Sequence, residues 1–116
     1  MKLNLSKMLP FLEKEDLTAL VDQIIKTDDR NFSGVTLSSV LPFLSDEQID
    51  TLFFQELENK RDVSIFYPFL SDNACQKIVD QVIEGTMEFD IGGLYPFLPD
   101  EELHRLFAFI LQNEGN

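Results

Sequence analysis

The stretch Leu41-Pro42-Phe43-Leu44 decides the fold, because the chain repeats it. Variants of this tetrapeptide begin at Leu9, Tyr67 and Tyr95, so that their prolines lie 32, 26 and 28 residues apart. Apolar residues also recur at fixed distances before and after each proline. Periods of this size are typical of stacked supersecondary units, none of which can bury its apolar face alone. The sequence therefore predicts four repeats, at about residues 4–31, 36–62, 63–90 and 91–114.

Each repeat reads as a short helix, a Pro-Phe-Leu corner and a longer helix. We write +n for the nth residue after the repeat's proline. Apolar residues at +7, +10, +11, +14 and +15 follow the stripe of an amphipathic helix. Position +3 then becomes the N-cap, and positions +2 and +7 form a hydrophobic staple. The predicted N-caps are Glu13, Ser45, Ser71 and Pro99.

Smaller signals refine this picture. Ser45 and Gln48 have the spacing of a capping box, and Gly85 is placed to end the third long helix. Proline disfavours helix at the residue before it, so we expect the short helix to end there. The corner itself is expected to be structural, with Phe43 and Leu44 in the core.

These patterns predict an all-α protein in a single domain, residues 1–116, built of four tandem short-helix/long-helix hairpins stacked as a small solenoid or bundle. Hydrophobic residues make up 44% of the chain and include 11 Phe, which is ample for a core and argues against disorder. The first connection, Thr27 to Thr36, is longer and more polar than the others and is expected to be a surface loop, with a hinge as the alternative.

Tandem helical hairpins with a proline at the bend resemble HEAT-type α-solenoids, although these units are shorter than the ~40 residues usual there. The wording Pro-Phe-Leu-Ser-Asp-Glu at 42–47 also resembles short helical repeats of uncharacterised bacterial proteins. The resemblance covers the whole chain through its four copies. It implies the fold and a bacterial or phage source, and it implies no catalytic activity.

Charge and composition exclude several classes of function. The 21 acidic and 9 basic residues give a net charge of −12, which disfavours direct binding of nucleic acid. Residues 1–35 carry a net −1 and residues 36–116 a net −11. One Cys and one His exclude a disulfide framework and the common zinc sites. No apolar run approaches the length of a membrane span, so we expect a cytoplasmic protein without membrane contact.

The chain offers little that could carry catalysis or bind a cofactor. Asp29, Asn31, Ser33 and Gly34 match the start of a Ca²⁺ loop, but Val40 stands where the bidentate Glu belongs. A polar turn is the simpler interpretation, and calcium binding is left open. The acids at 100–102 fit a solvated helix start, His104 a surface position and Cys75 the core. We predict no enzyme activity, no metal site and no cofactor.

Two aromatic residues depart from the polar face of the repeat. Phe54 stands at +12 and Phe109 at +13, where sister repeats place Asp or Gln. Exposed aromatics of this kind are most often used at interfaces, although packing within the monomer would also explain them. We predict that both bind a partner, with Asp50 and Glu58 as a charged rim.

The sequence supports two hypotheses for function. The first is a non-catalytic protein–protein interaction module that presents exposed helix faces to another protein, or to a second copy in a homodimer. The alternative is an acidic inhibitor that mimics nucleic acid and occupies the basic groove of a nucleic-acid enzyme, as phage anti-defence proteins do. Salt separates them, since it screens ionic attraction and does not weaken an apolar contact.

Overall fold

The computed structural model describes residues 3–27, 29–87 and 89–114, and it is mostly helical. The chain divides into two compact units, Met1–Phe69 and Leu70–Asn116. The α-helices are α1 Leu5–Met8, α2 Lys14–Lys26, α3 Leu37–Val40, α4 Asp46–Glu58, α5 Asp72–Glu84 and α6 Asp100–Glu114. The 3₁₀ segments are Leu9–Phe11, Leu41–Phe43, Ser64–Phe69 and Ile91–Phe97. Among the described residues, no helix combines the length and apolarity needed to cross a membrane.

Every long helix begins where the repeat predicts. Glu13, Ser45 and Ser71 are extended N-caps, and the hydroxyls of Ser45 and Ser71 accept hydrogen bonds from the third residue of their helices. The capping box is confirmed, because the Ser45 backbone N–H donates to Gln48 Oε1 at 2.9 Å. Gly85 ends α5 in the left-handed region, at φ 76°. The cap chemistry in the sequence therefore fixes the helix starts.

The Pro-Phe-Leu corners are built differently from the prediction. Leu9 and Leu41, the residues before proline, stay helical, and the short helix runs on into a 3₁₀ turn that contains the proline. The break comes two residues after proline, where Leu12 and Leu44 turn extended. Proline is tolerated there because the first turn of a helix leaves its backbone N–H groups unpaired in any case.

Phe43 and Leu44 are less buried than the predicted core role requires. Phe43 is 40% exposed and Leu44 only half-buried. The partner positions of the staple are buried at Leu17, Ile49 and Cys75. The corner leucine therefore covers the start of the long helix from its rim, while the phenylalanine remains largely in contact with solvent.

The first connection contains a β-hairpin, where the sequence predicts a loop. β1 (Asn31–Phe32) pairs antiparallel with β2 (Val35–Thr36), with Phe32 opposite Val35. Ser33 and Gly34 form the turn, both at positive φ (52° and 83°), the conformation of a type I′ hairpin turn. Val35 is fully buried, so this segment is anchored to the first unit.

Each unit has its own apolar centre. In Met1–Phe69, α2 contacts α3, and α4 contacts the 64–69 segment. Phe53 lies in this core, with the Phe66 ring edge-on at 6.0 Å. In Leu70–Asn116, α5 packs along α6. Cys75 is confirmed as a buried thiol, and the other buried residues of this unit include Ile78, Val79, Leu94 and Leu106.

Candidate interaction surface on helix α6

One face of α6 leaves a row of large apolar side chains in solvent. Leu103, Phe107 and Leu111 are 39%, 58% and 60% exposed, and Ile110 beside them is also exposed. We call these four residues the α6 stripe. Single exposed apolar residues are ordinary on protein surfaces, but a contiguous patch marks a site of interaction.

Two residues of the α6 stripe, Leu103 and Phe107, occupy repeat positions that are buried in the other three repeats. Phe107 stands at +11, where Val21, Phe53 and Val79 are buried. Leu103 stands at +7, where Leu17, Ile49 and Cys75 are buried. The sequence predicts that all four copies of these positions face inward. For Leu103 and Phe107 that prediction is wrong.

The first unit shows what covers this face in an earlier repeat. Gln48 of α4 donates through Nε2 to Thr18 Oγ1 at 3.0 Å and to the Lys14 carbonyl at 3.3 Å, both on α2. Val21 of α2 and Leu52 of α4 line the same depression at this border. The next long helix along the chain therefore lies beside the buried +11 position of α2, while Thr18 at +8 is hydrogen-bonded to it and stays exposed. In the described part of the chain, no helix comes after α6.

The α6 stripe also borders an open, almost wholly apolar depression of about 330 Å³. Tyr95 from the 91–97 segment forms one side, and Leu103, Phe107 and Ile110 form the other. His104 is the one titratable α6 side chain in its lining, and it is exposed as predicted. Such a surface can bind an apolar side chain and holds no set of groups for acid–base chemistry.

A different side of α6 is held by an ion cluster. Arg105 donates to both oxygens of Glu102, at 2.8 and 3.0 Å, and also to Asp80 of α5. The hydrogen bonds to Glu102, and then those to Asp80, raise the pKa of the Arg105 guanidinium above its usual value. Glu102 is buried, so the prediction of a solvated helix start is wrong for this residue. The cluster fixes α6 against α5, and the orientation of the stripe is thereby set by the fold.

A second buried carboxylate lies in the first unit. Glu56 is almost fully buried on α4, and its Oε1 accepts from Arg30 of the 27–36 connection. Arg61 Nε lies 3.9 Å from Oε2, which has no hydrogen-bond partner among the described residues. Arg30 and Arg61 also line an open depression of about 450 Å³ together with Asp29 and Asp62. The ion pair between Arg30 and Glu56 thus joins the 27–36 connection to α4.

Of the residues predicted from sequence to bind a partner, three lie on α4 in the first unit and Phe109 lies on α6 in the second unit. Phe54 is half-buried, and its ring meets Phe53 edge-on at 5.1 Å. Phe109 is half-buried on α6, where its carbonyl accepts from Asn113 Nδ2 at 2.8 Å. Asp50 is half-buried and Glu58 exposed, both on α4. Partner binding by these four residues stays a prediction.

The residues with calcium-loop spacing use their oxygens locally. Asn31 Oδ1 accepts from the Gly34 backbone N–H at 3.0 Å, and Asp29 Oδ1 accepts from the Asn31 backbone N–H at 3.2 Å. The segment is thus a capped hairpin turn. Across residues 3–27, 29–87 and 89–114, no group of three or more His, Cys, Asp or Glu side chains is placed to hold a metal ion.

Comparison with known proteins adds no relative. No protein-family model matches the chain, and neither the curated proteins nor the solved structures contain a match. The function must therefore be inferred from the α6 stripe and its surroundings.

Proposed function

We propose that this protein is a non-catalytic protein-interaction module whose binding surface is the α6 stripe. One observation carries the proposal: Leu103 and Phe107 are exposed at repeat positions that every other repeat buries. In the other repeats these positions are buried inside the protein, so the exposed copy favours a partner with an apolar face, such as an amphipathic helix. The stacking of all four hairpins as a HEAT-like solenoid belongs to the same proposal, with the packing of α2 on α3 and of α5 on α6 as its support.

The ion cluster beneath α6 supports this role. A binding helix must keep its face presented in one orientation. Arg105, held by the buried Glu102 of its own helix, ties α6 to α5 through Asp80. Preorganisation of this kind reduces the entropy lost on binding. The predicted anchor Phe54 stays a separate candidate contact in the first unit, since its side chain is only half-buried.

The test is capture of binding proteins on the immobilised full chain at high salt. Phe107→Asp should abolish capture, because a charge in the centre of the stripe cannot be desolvated cheaply. Phe11→Asp is the matched control, since Phe11 is 85% exposed and lies in the first unit. Phe54→Ser, measured in parallel, reports whether Phe54 contributes. Capture that survives Phe107→Asp would contradict the proposal.

A second candidate, the acidic mimic of nucleic acid, is favoured by the distribution of charge. Residues 36–116 hold 15 acidic and 4 basic side chains, and the exposed acids include Asp46, Glu47, Asp72, Asp100 and Glu101 at helix starts. A partner held by these groups would have a basic groove and would dissociate as salt rises. Binding that is lost in high salt and is indifferent to Phe107→Asp would favour this candidate.

A further inference from the structure

A depression of about 180 Å³ lies between α2 and α4 in the first unit, and it holds polar groups that the fold leaves unused. Val21 of α2 and Leu52 of α4, both largely buried, give it an apolar lining together with the half-buried Leu44. Pockets that enclose drug-sized ligands begin at roughly 300 Å³. The depression therefore suits a single side chain or a small molecule of similar size.

The end of the depression nearest the starts of both helices is held by contacts within the protein. Gln48 donates to Thr18 Oγ1 and to the Lys14 carbonyl, and its own Oε1 accepts from the Ser45 backbone N–H. The Lys14 ammonium lies 3.9 Å from Glu47 at the same end. The polar groups here already have partners, so they offer little to a ligand.

The other end of the depression holds three exposed polar side chains, Asp22 of α2 and Thr51 and Gln55 of α4. None of the three side chains has a hydrogen-bond or ion-pair partner in the described part of the chain. Thr51 and Gln55 are one helical turn apart and are therefore neighbours on α4. Asp22 follows Val21 in the sequence, and Thr51 precedes Leu52, so a carboxylate, a hydroxyl and an amide border the apolar lining.

We propose that this end of the depression binds an alkylammonium group, which is the chemistry of a lysine side chain and of a small free amine. A primary ammonium has three N–H donors, and Asp22, Thr51 and Gln55 each offer it an acceptor oxygen. Its alkyl stem lies on Val21 and Leu52. Such stems pack along apolar surface while the charged head stays among polar groups.

Charge favours a cation over a neutral or anionic ligand at this site. The lining contains the carboxylates of Asp22 and Glu47 and the ammonium of Lys14, a net −1, in a chain of net charge −12. A field of this sign concentrates cations and repels anions. The buried acids Glu56 and Glu102 are already paired with arginines. An ammonium that binds Asp22 displaces no ion pair among the described residues.

NMR titration of the isotope-labelled full chain with pentylammonium chloride at neutral pH tests the proposal. Saturable shifts of backbone amides should centre on residues 18–22 and 51–55, with a dissociation constant in the millimolar range. The alcohol n-pentanol has the same stem without the charge and should bind at least about tenfold more weakly. Added salt should weaken the binding of pentylammonium, because it screens ionic attraction at exposed sites.

Three variants locate the binding site. Asp22→Asn should weaken pentylammonium binding by about tenfold or more, because it removes the charge that faces the ammonium. Glu15→Gln is the matched control, since it removes an exposed charge from the same helix outside the depression and should leave binding unchanged. Gln55→Glu adds a second carboxylate and should tighten binding by about threefold, a gain that misfolding cannot produce. The dispersion of the amide signals shows that each variant remains folded.

Nα-acetyl-lysine methylamide, titrated in parallel, identifies the source of the ammonium. Binding at least as tight as that of pentylammonium points to a lysine of a partner protein, and weaker binding points to a free amine; both results support the site. Absence of saturable shifts with either probe, n-pentanol binding as tight as that of pentylammonium, or an Asp22→Asn variant that binds like the wild type would overturn the proposal. The α6 stripe belongs to the other unit, so none of these outcomes bears on the proposed function.

Discussion

Phe53 and Phe107 occupy the same repeat position, +11, in the first and second compact units, and their surroundings are opposite. Phe53 is fully buried, with Phe54 and Phe66 packed edge-on against its ring. Phe107 is more than half exposed beside an apolar depression. The same residue at the same position of the repeat is thus core in one unit and surface in the other. The difference comes from the next element along the chain, because Phe66 belongs to the repeat after Phe53 and α6 has no described successor.

Truncating the rings of Phe53 and Phe107 tests this comparison with the largest expected effect. Phe53→Ala should lower the free energy of unfolding by about 3–5 kcal/mol, through lost burial and a cavity. Phe107→Ala should change it by only about 0.5 kcal/mol when measured on the monomer. Urea denaturation of both variants at low protein concentration provides the measurement. Equal losses of unfolding free energy would mean that Phe107 is buried and that the α6 stripe is not an exposed surface.

The +14 position extends the comparison to charge, since Glu56 is buried where Ile110 is exposed. Arg30→Ala should destabilise the protein by about 2 kcal/mol, less than is usual for a broken buried pair because Arg61 remains near Glu56. Lys14→Ala, which removes an exposed cation, is the control and should have almost no effect. Thermal unfolding of the two variants gives the answer, and a silent Arg30→Ala would show that the Glu56 cluster does not tie the connection to α4.

Helix ends offer a milder comparison between the units. Gly85 ends α5 at φ 76°, and Lys60 lies just after α4 at φ 60°, so one left-handed position is held by glycine and the other by lysine. Gly85→Ala should cost about 1 kcal/mol, and Lys60→Gly should gain a similar amount. Chemical denaturation of both variants should shift the midpoints in opposite directions. A stabilising Gly85→Ala would contradict the assigned C-cap.

The smallest effect concerns pH. Hydrogen bonds from the backbone and then the side chain of Ser64 lower the pKa of Asp62 below 3.8. The folded state therefore favours the ionised carboxylate, which adds stability above pH 3.8 and loses it as pH falls through the lowered value. Ser64→Ala keeps the backbone hydrogen bond, so it should lower stability slightly at neutral pH, leave it unchanged below the lowered pKa, and thereby flatten the acid limb of the stability profile. An NMR titration in which Asp62 keeps its ordinary pKa would contradict this assignment.

Local sequence chemistry predicts the helix starts closely. It does not predict which apolar side chains are covered by elements distant in the sequence. Ser45, Ser71 and Gly85 act through their own backbone neighbours, so their roles can be read from spacing. The burial of Phe107 depends on another element, and nothing in the α6 sequence distinguishes it from Phe53. Glu56 carries a usable signal, since a carboxylate at an apolar stripe position requires a cation. The only sequence signal for the hairpin is the Ser33-Gly34 turn, because its two strands of two residues each are too short to show an alternating pattern.

The Glu56 cluster has a consequence for folding. Sibling repeats carry similar apolar stripes, so a folding chain can dock a long helix against the wrong sibling, a characteristic failure of repeat proteins. Glu56 changes this degeneracy, because its carboxylate meets a cation only where Arg30 and Arg61 flank α4. A misdocked α4 would bury the charge unpaired, at a cost of several kcal/mol. One acidic residue within an apolar stripe thus favours the native docking position of α4 over docking against another repeat.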